Sequence, residues 1–205
     1  MDPEAKKSGS VSRRTLIAGA ALVPVAALSS AAQSGAPTQS APVFSAAQRK
    51  TLEAFLDRLV PKDELGPGAV ECGAANYIEQ ALAGALAEEK ATFLESLASI
   101  DSFARSSQGA SFDELTADKQ DAVLSAMDGG TAAGFPNARA VFARFRRLTL
   151  EGMFSDPYYG GNRNFAGWDL LRYPGPRVAV SPAEQKIKVD IKPYRRSAYG
   201  GNDGH

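Results

Sequence analysis

The sequence predicts an all-α fold: a small helical bundle of about five helices, followed by a long ordered Gly- and aromatic-rich C-terminal loop. Three observations carry that expectation. Five stretches between residues 45 and 152 repeat apolar side chains at the spacing of an amphipathic helix. Short polar connections rich in Gly, Pro, Ser and Thr separate them. A leader of about 30 residues taken from the 205 leaves roughly 170, enough for one compact domain.

The leader occupies residues 1–31. A polar start with Lys6 and Lys7 leads to Ser12-Arg13-Arg14-Thr15-Leu16-Ile17, an apolar run from Leu16 to Leu28, and the small residues Ser29 to Ala32. A paired-Arg start, a modest Ala/Gly-rich apolar stretch and a small-residue cleavage zone make up a twin-arginine export signal, with Arg13 and Arg14 as its signature. The apolar run is short of the roughly 20 residues a bilayer-spanning helix needs. The rival reading is an uncleaved N-terminal anchor. Residues 32–43 (AQSGAPTQSAPV) are small and polar with two prolines, and read as a flexible linker. A helical domain is expected over 44–177 and an extended, partly disordered tail over 178–205.

The first helix begins at Ser45, which with Gln48 fits a capping box, and runs through Leu52, Phe55, Leu56 and Leu59 to Pro61. A turn-rich stretch, Lys62 to Gly68, follows. Tyr77, Ile78, Leu82 and Leu86 predict a second helix with a weak spot at Gly84. Phe93, Leu94, Leu97, Ile100 and Phe103 predict a third, closing near Gly109. Thr116 is the expected cap of a fourth, carrying Val123, Leu124 and Met127 and stopped by Gly129-Gly130. Asn137 is the expected cap of a fifth, with Val141, Phe142, Phe145, Leu148 and Gly152 on one face.

Beyond Gly152 the helical period is lost. Residues 154–177 set six aromatics among Gly160, Gly161, Gly167 and Gly175. The aromatics call for burial and the glycines permit unusual backbone angles, so an ordered loop laid over the bundle or over another protein is expected. Ile187, Val189 and Ile191 alternate with charged residues, a short extended signal. Ser197 to His205 reads as disordered.

Composition narrows the function. Lys plus Arg and Asp plus Glu are 23 each, and the chain without its leader keeps 19 basic and 21 acidic side chains, which speaks against nucleic acid. The one His (His205) and one Cys (Cys72) exclude a Cys/His zinc site, a CxxCH haem attachment, a Ser-His-Asp triad and an intramolecular disulfide. No cofactor motif is present: Gly160-Gly161 lacks the spacing of a phosphate cradle. The composition is that of an exported helical domain without its own catalytic apparatus.

The candidate residues are therefore candidates for contact. Phe154, Tyr158, Tyr159, Trp168 and Tyr173 offer aromatic area, and Asp156, Asn162 and Arg163 offer polar groups, as a partner-binding surface. The alternative is a loop that only caps the bundle. Asp63, Glu64 and Asp156 are the carboxylates available to a stand-alone exported enzyme, against a simpler role in turns. Cys72 is open to three readings: a buried inert thiol, an intersubunit disulfide or a reactive thiol. Arg139, Arg144, Arg146 and Arg147 on the fifth helix either face an acidic partner or are a solvated face.

The string Glu151-Gly152-Met153-Phe154-Ser155-Asp156-Pro157-Tyr158-Tyr159-Gly160-Gly161-Asn162-Arg163-Asn164, continuing to Gly167-Trp168-Asp169-Leu170-Leu171 and Tyr173-Pro174-Gly175, resembles the gluconate 2-dehydrogenase subunit 3 family. Leu59-Val60-Pro61 to Gly66-Pro67-Gly68-Ala69, then Tyr77-Ile78, is a second match, and the leader a third. The resemblance spans most of residues 44–176. It implies a non-catalytic small subunit holding no cofactor. Its implied partners are an FAD-dependent large subunit of the glucose-methanol-choline type and a c-type cytochrome subunit carrying haem c. The large subunit would oxidise a sugar, sugar acid or polyol and pass electrons to the respiratory chain. The small subunit would carry it through the twin-arginine translocase to the periplasm, at the inner membrane through partner subunits. A free export chaperone is the remaining alternative.

Overall fold

Apolar spacing and end signals place five helices close to where the sequence puts them. The computed structural model describes residues 42–200 apart from Val178, Lys188 and Asp190. The leader with Arg13 and Arg14, the linker up to residue 41 and residues 201–205 lie outside the described residues. Helix α1 (Ala46–Leu59) starts from the expected capping box: Gln48 N donates to Ser45 Oγ at 3.2 Å, and Ser45 N donates to Gln48 Oε1 at 2.9 Å. Its end at Leu59 leaves Pro61 free of the helical ladder.

Helix α2 (Ala74–Ala83) starts from Gly73 in the left-handed region and stops at Gly84. The weak spot is thus its end, and Leu86, expected inside the helix, lies beyond it and leads a 3-10 turn, Ala87–Glu89, into α3 (Lys90–Gln108). Gly109 at φ +91 closes α3 and Gly130 at φ +70 closes α4 (Ala117–Gly129), conformations that cost glycine nothing. Thr116 and Asn137 occupy the N-cap positions of α4 and α5 (Ala138–Phe154), but neither side chain accepts a capping hydrogen bond.

The core forms around aromatic rings. Phe55 of α1 meets Phe112, Phe142 and Phe145, and Phe93 of α3 stacks on Phe145 with centroids 4.3 Å apart. Each such ring, once buried, contributes about 1.5–3 kcal/mol. Arg58 of α1 grips Asp121 of α4 through two bonds of 2.9 and 2.7 Å. Helices α2 and α5 pack closely because Gly152 faces Ala74: a Cβ on Gly152 would lie 2.8 Å from Ala74 Cα.

Two expectations for the C-terminal part change. The segment after Gly152 is not irregular throughout: α5 continues to Phe154, 3-10 turns form at Pro157–Tyr159 and Arg163–Phe165, and a short α6 spans Ala166–Leu170. Elements of a single turn have no helical period to read. The alternating Ile187, Val189 and Ile191 form no strand; Ile187 lies in a turn, and the only β pairing among the described residues is an isolated bridge between Asp63 and Gly66. No helix among the described residues is long and apolar enough to cross a membrane.

Candidate partner-docking site

The C-terminal end of α5 is where the motif residues gather. The last carbonyls of any helix lack partners within it. Here a later stretch of chain folds back to supply donors. Asn162 N donates to Gly152 O at 2.7 Å, Asn162 Nδ2 to Ser155 O at 2.9 Å, and Trp168 Nε1 to Phe154 O at 2.9 Å. Asn162 Oδ1 in turn accepts from the backbone of Gly167 at 2.9 Å and Trp168 at 3.3 Å. One side chain therefore ties α5, the turn and α6 together. Asn162 is 0% exposed and adopts φ +44, a region that Asn tolerates better than most residues.

The glycines of the motif permit this approach. A Cβ on Gly161 would collide with Gly152 O, and one on Gly167 with Met153 O. Arg163 N donates to Cys72 O at 2.9 Å, which fastens the loop to the turn entering α2. The Lys62–Gly68 turn reaches it too: Gly66 lies against Leu170, whose Cδ1 would be 2.9 Å from a Cβ there. The two motif-bearing stretches, 59–69 and 151–175, are thus neighbours in space.

The expected contact residues divide by where they face. Asn162, 0% exposed, and Trp168, 7% exposed, are turned inward and shape the platform. Trp168 packs against Phe165 and edge-on against Tyr173. Phe154 and Asp156 are half-buried; Tyr158, Tyr159, Arg163 and Tyr173 are exposed. Tyr158 is 62% exposed and meets Tyr159 edge-on at 5.3 Å. Beside α6 the surface continues through Leu65, Leu170 and Leu171, the last 58% exposed. These three leucines were not singled out by the sequence reading, although an apolar pair directly after Trp168-Asp169 and a leucine inside a polar turn were signals that it held. A small cleft of about 220 Å³ lies between α2 and the motif, lined by Asn76, Gln80, Tyr158, Gly161, Arg163 and Ser197.

The remaining candidates resolve into structural roles. Asp63 Oδ1 accepts from Leu65 N at 2.8 Å and Gly66 N at 3.3 Å, and Asp156 Oδ1 from Tyr158 N at 2.9 Å; both carboxylates build turns. Glu64 is exposed. Cys72 is 0% exposed, and burial first, then the charge of Glu71, pushes its thiol up from its ordinary range. A buried thiol of raised pKa has the character of the inert reading among the three. On α5, Arg144 pairs with Glu89 and Arg147 with Glu151, while Arg139 and Arg146 face solvent.

Of the tail read as disordered, Ser197 to His205, residues 197–200 are described and lie against the motif surface, and residues 201–205 lie outside the described residues. Ser197 is buried, and Tyr199 shares a 2.7 Å hydrogen bond with the hydroxyl of Tyr159. That bond is the first cause, ahead of partial burial, of the raised pKa of Tyr159.

A family model described as gluconate 2-dehydrogenase subunit 3 matches residues 46–175. Neither the curated proteins nor the solved structures contain a match to the chain.

Proposed function

The chain belongs to the gluconate 2-dehydrogenase subunit 3 family, and from that premise we propose that it is the non-catalytic small subunit of a periplasmic or membrane-associated FAD-dependent gluconate, sugar or polyol dehydrogenase complex. The family's name itself implies a subunit of a multi-subunit gluconate dehydrogenase. In this reading the chemistry belongs to a flavoprotein of the glucose-methanol-choline type, and a c-type cytochrome subunit takes the electrons. FAD and haem c are held by those partners. This chain stabilises the flavoprotein and, through Arg13 and Arg14, carries it into twin-arginine export.

The observation that carries the docking part is the surface built from the family motif. Asn162, Trp168 and three glycines are spent on fixing the backbone at the end of α5. What that rigid base presents outward is Tyr158, Tyr159, Tyr173, Leu170 and Leu171. Exposed apolar and aromatic groups gathered on a preorganised support are the composition of a protein-docking surface. The fixed backbone also lowers the entropy cost of binding.

The test is co-expression with an FAD-dependent large subunit of the glucose-methanol-choline type from the same source. A stoichiometric complex containing flavin is expected, and the chain purified alone should turn over no sugar. Lys at both Arg13 and Arg14 should hold chain and flavoprotein together in the cytoplasm. Normal periplasmic dehydrogenase activity in that variant would overturn the export role, and turnover by the lone chain would overturn the non-catalytic one.

A further inference from the structure

The motif surface already has an occupant, supplied by this chain itself. Arg195 forks onto Asp169, Nε to Oδ1 at 3.2 Å and Nη2 to Oδ2 at 2.5 Å. Ala198 N donates to Asp156 Oδ2 at 2.7 Å. The ring of Tyr199 stacks on Tyr158 with centroids 4.6 Å apart and meets Tyr159 edge-on at 5.6 Å. Behind these contacts Tyr194 N donates to Pro174 O at 2.9 Å.

Each contact uses a group that an incoming protein would need. Each is also of a weak kind. The Arg195–Asp169 pair is open to water on both sides, and such pairs are worth little and are screened by salt. Tyr158 and Tyr199 stay largely exposed while stacked. No residue of the stretch Tyr194–Gly200 belongs to the hydrophobic core. The stretch also falls outside residues 46–175, the part that the family model matches. What keeps it seated is its tether, which gives a weak ligand a high effective concentration.

We propose that Tyr194–Gly200 is a built-in, displaceable occupant of the docking surface. It stands in for a partner segment that presents a guanidinium to Asp169, a main-chain N–H to Asp156 and an aromatic ring to Tyr158 and Tyr159. The proposal rests on the subunit reading above and deepens it by stating the chemistry the surface selects. While the tail is seated, only the open fraction of molecules is competent to bind, and the apparent affinity falls by that fraction.

The test titrates the FAD-dependent large subunit with the full chain and with an Arg195→Ala/Tyr199→Ala variant. Both substitutions are outside the core, so the fold is kept. The variant is expected to bind about tenfold more tightly, as for a seat closed about nine-tenths of the time. A synthetic peptide of residues 191–200, added to the variant mixture, should weaken that binding. Equal or weaker binding by the variant while the wild type binds, or a peptide without effect, overturns this proposal alone. Absence of binding by both chains overturns it together with the subunit reading.

Discussion

Asn162 is the residue on which the motif surface depends most. It links the carbonyls of Gly152 and Ser155 to the backbone of Gly167 and Trp168, with no exposure to water. Asn162→Ala keeps the backbone bond to Gly152 but strips the side-chain partner from the Ser155 carbonyl and from the N–H groups of Gly167 and Trp168, and each such group costs about 1–3 kcal/mol when buried. A loss of about 2–4 kcal/mol is expected, read as a lower denaturation midpoint at unchanged slope. An unchanged midpoint would show that the loop is held by something else. The sequence pointed to Asn162 and Trp168 as part of an unusual string but gave no means of telling inward from outward residues. That division is set by which α5 carbonyls lie within reach, a tertiary fact. Tyr77 offers a second check. Burial first, then its 3.0 Å bond to Glu151 and that carboxylate's charge, pushes its hydroxyl up to about 12 from the ordinary 10. A raised folded value stabilises fully below pH 10 and is lost as pH climbs through 12. Tyr77→Phe should therefore flatten the fall of stability between pH 10 and 12, and an identical fall in both proteins would contradict the assigned bond.

At the scale of elements, the closeness of α2 and α5 decides where the motif is held. Gly152 permits it, since any Cβ there would press on Ala74. Gly152→Val should force the helices apart and cost about 1–3 kcal/mol or more by overpacking. Thermal denaturation reads it, and a variant as stable as the wild type would mean that the contact is slack. The five long helices were legible because each buries a periodic apolar stripe, as Leu52, Phe55 and Leu56 do in α1. The 3-10 turns and α6 were not. They are one or two turns long, and the left-handed Asn162 that leads the second 3-10 turn and the Arg163 that begins it are held by bonds to Gly152 of α5 and to Cys72 in the turn entering α2. Thr116 and Asn137 stand at the N-cap positions read for them, and their side chains make no capping bond.

For the whole molecule, the fold separates support from surface. The aromatic core around Phe55 and Phe145 fixes α5, the end of α5 fixes Asn162 and Trp168, and these fix the backbone that displays Tyr158, Tyr159, Tyr173, Leu170 and Leu171. Family membership names the kind of assembly, and the motif's geometry proposes where this chain meets it. The most direct measurement is the affinity of the flavoprotein for the wild type and for a Tyr158→Ala/Leu171→Asp variant, both checked for equal stability. Interface residues that anchor binding cost about 2 kcal/mol or more each when removed, roughly thirtyfold in affinity. A loss of at least about thirtyfold at unchanged denaturation midpoint is the predicted result; equal affinity of the two proteins would contradict the account.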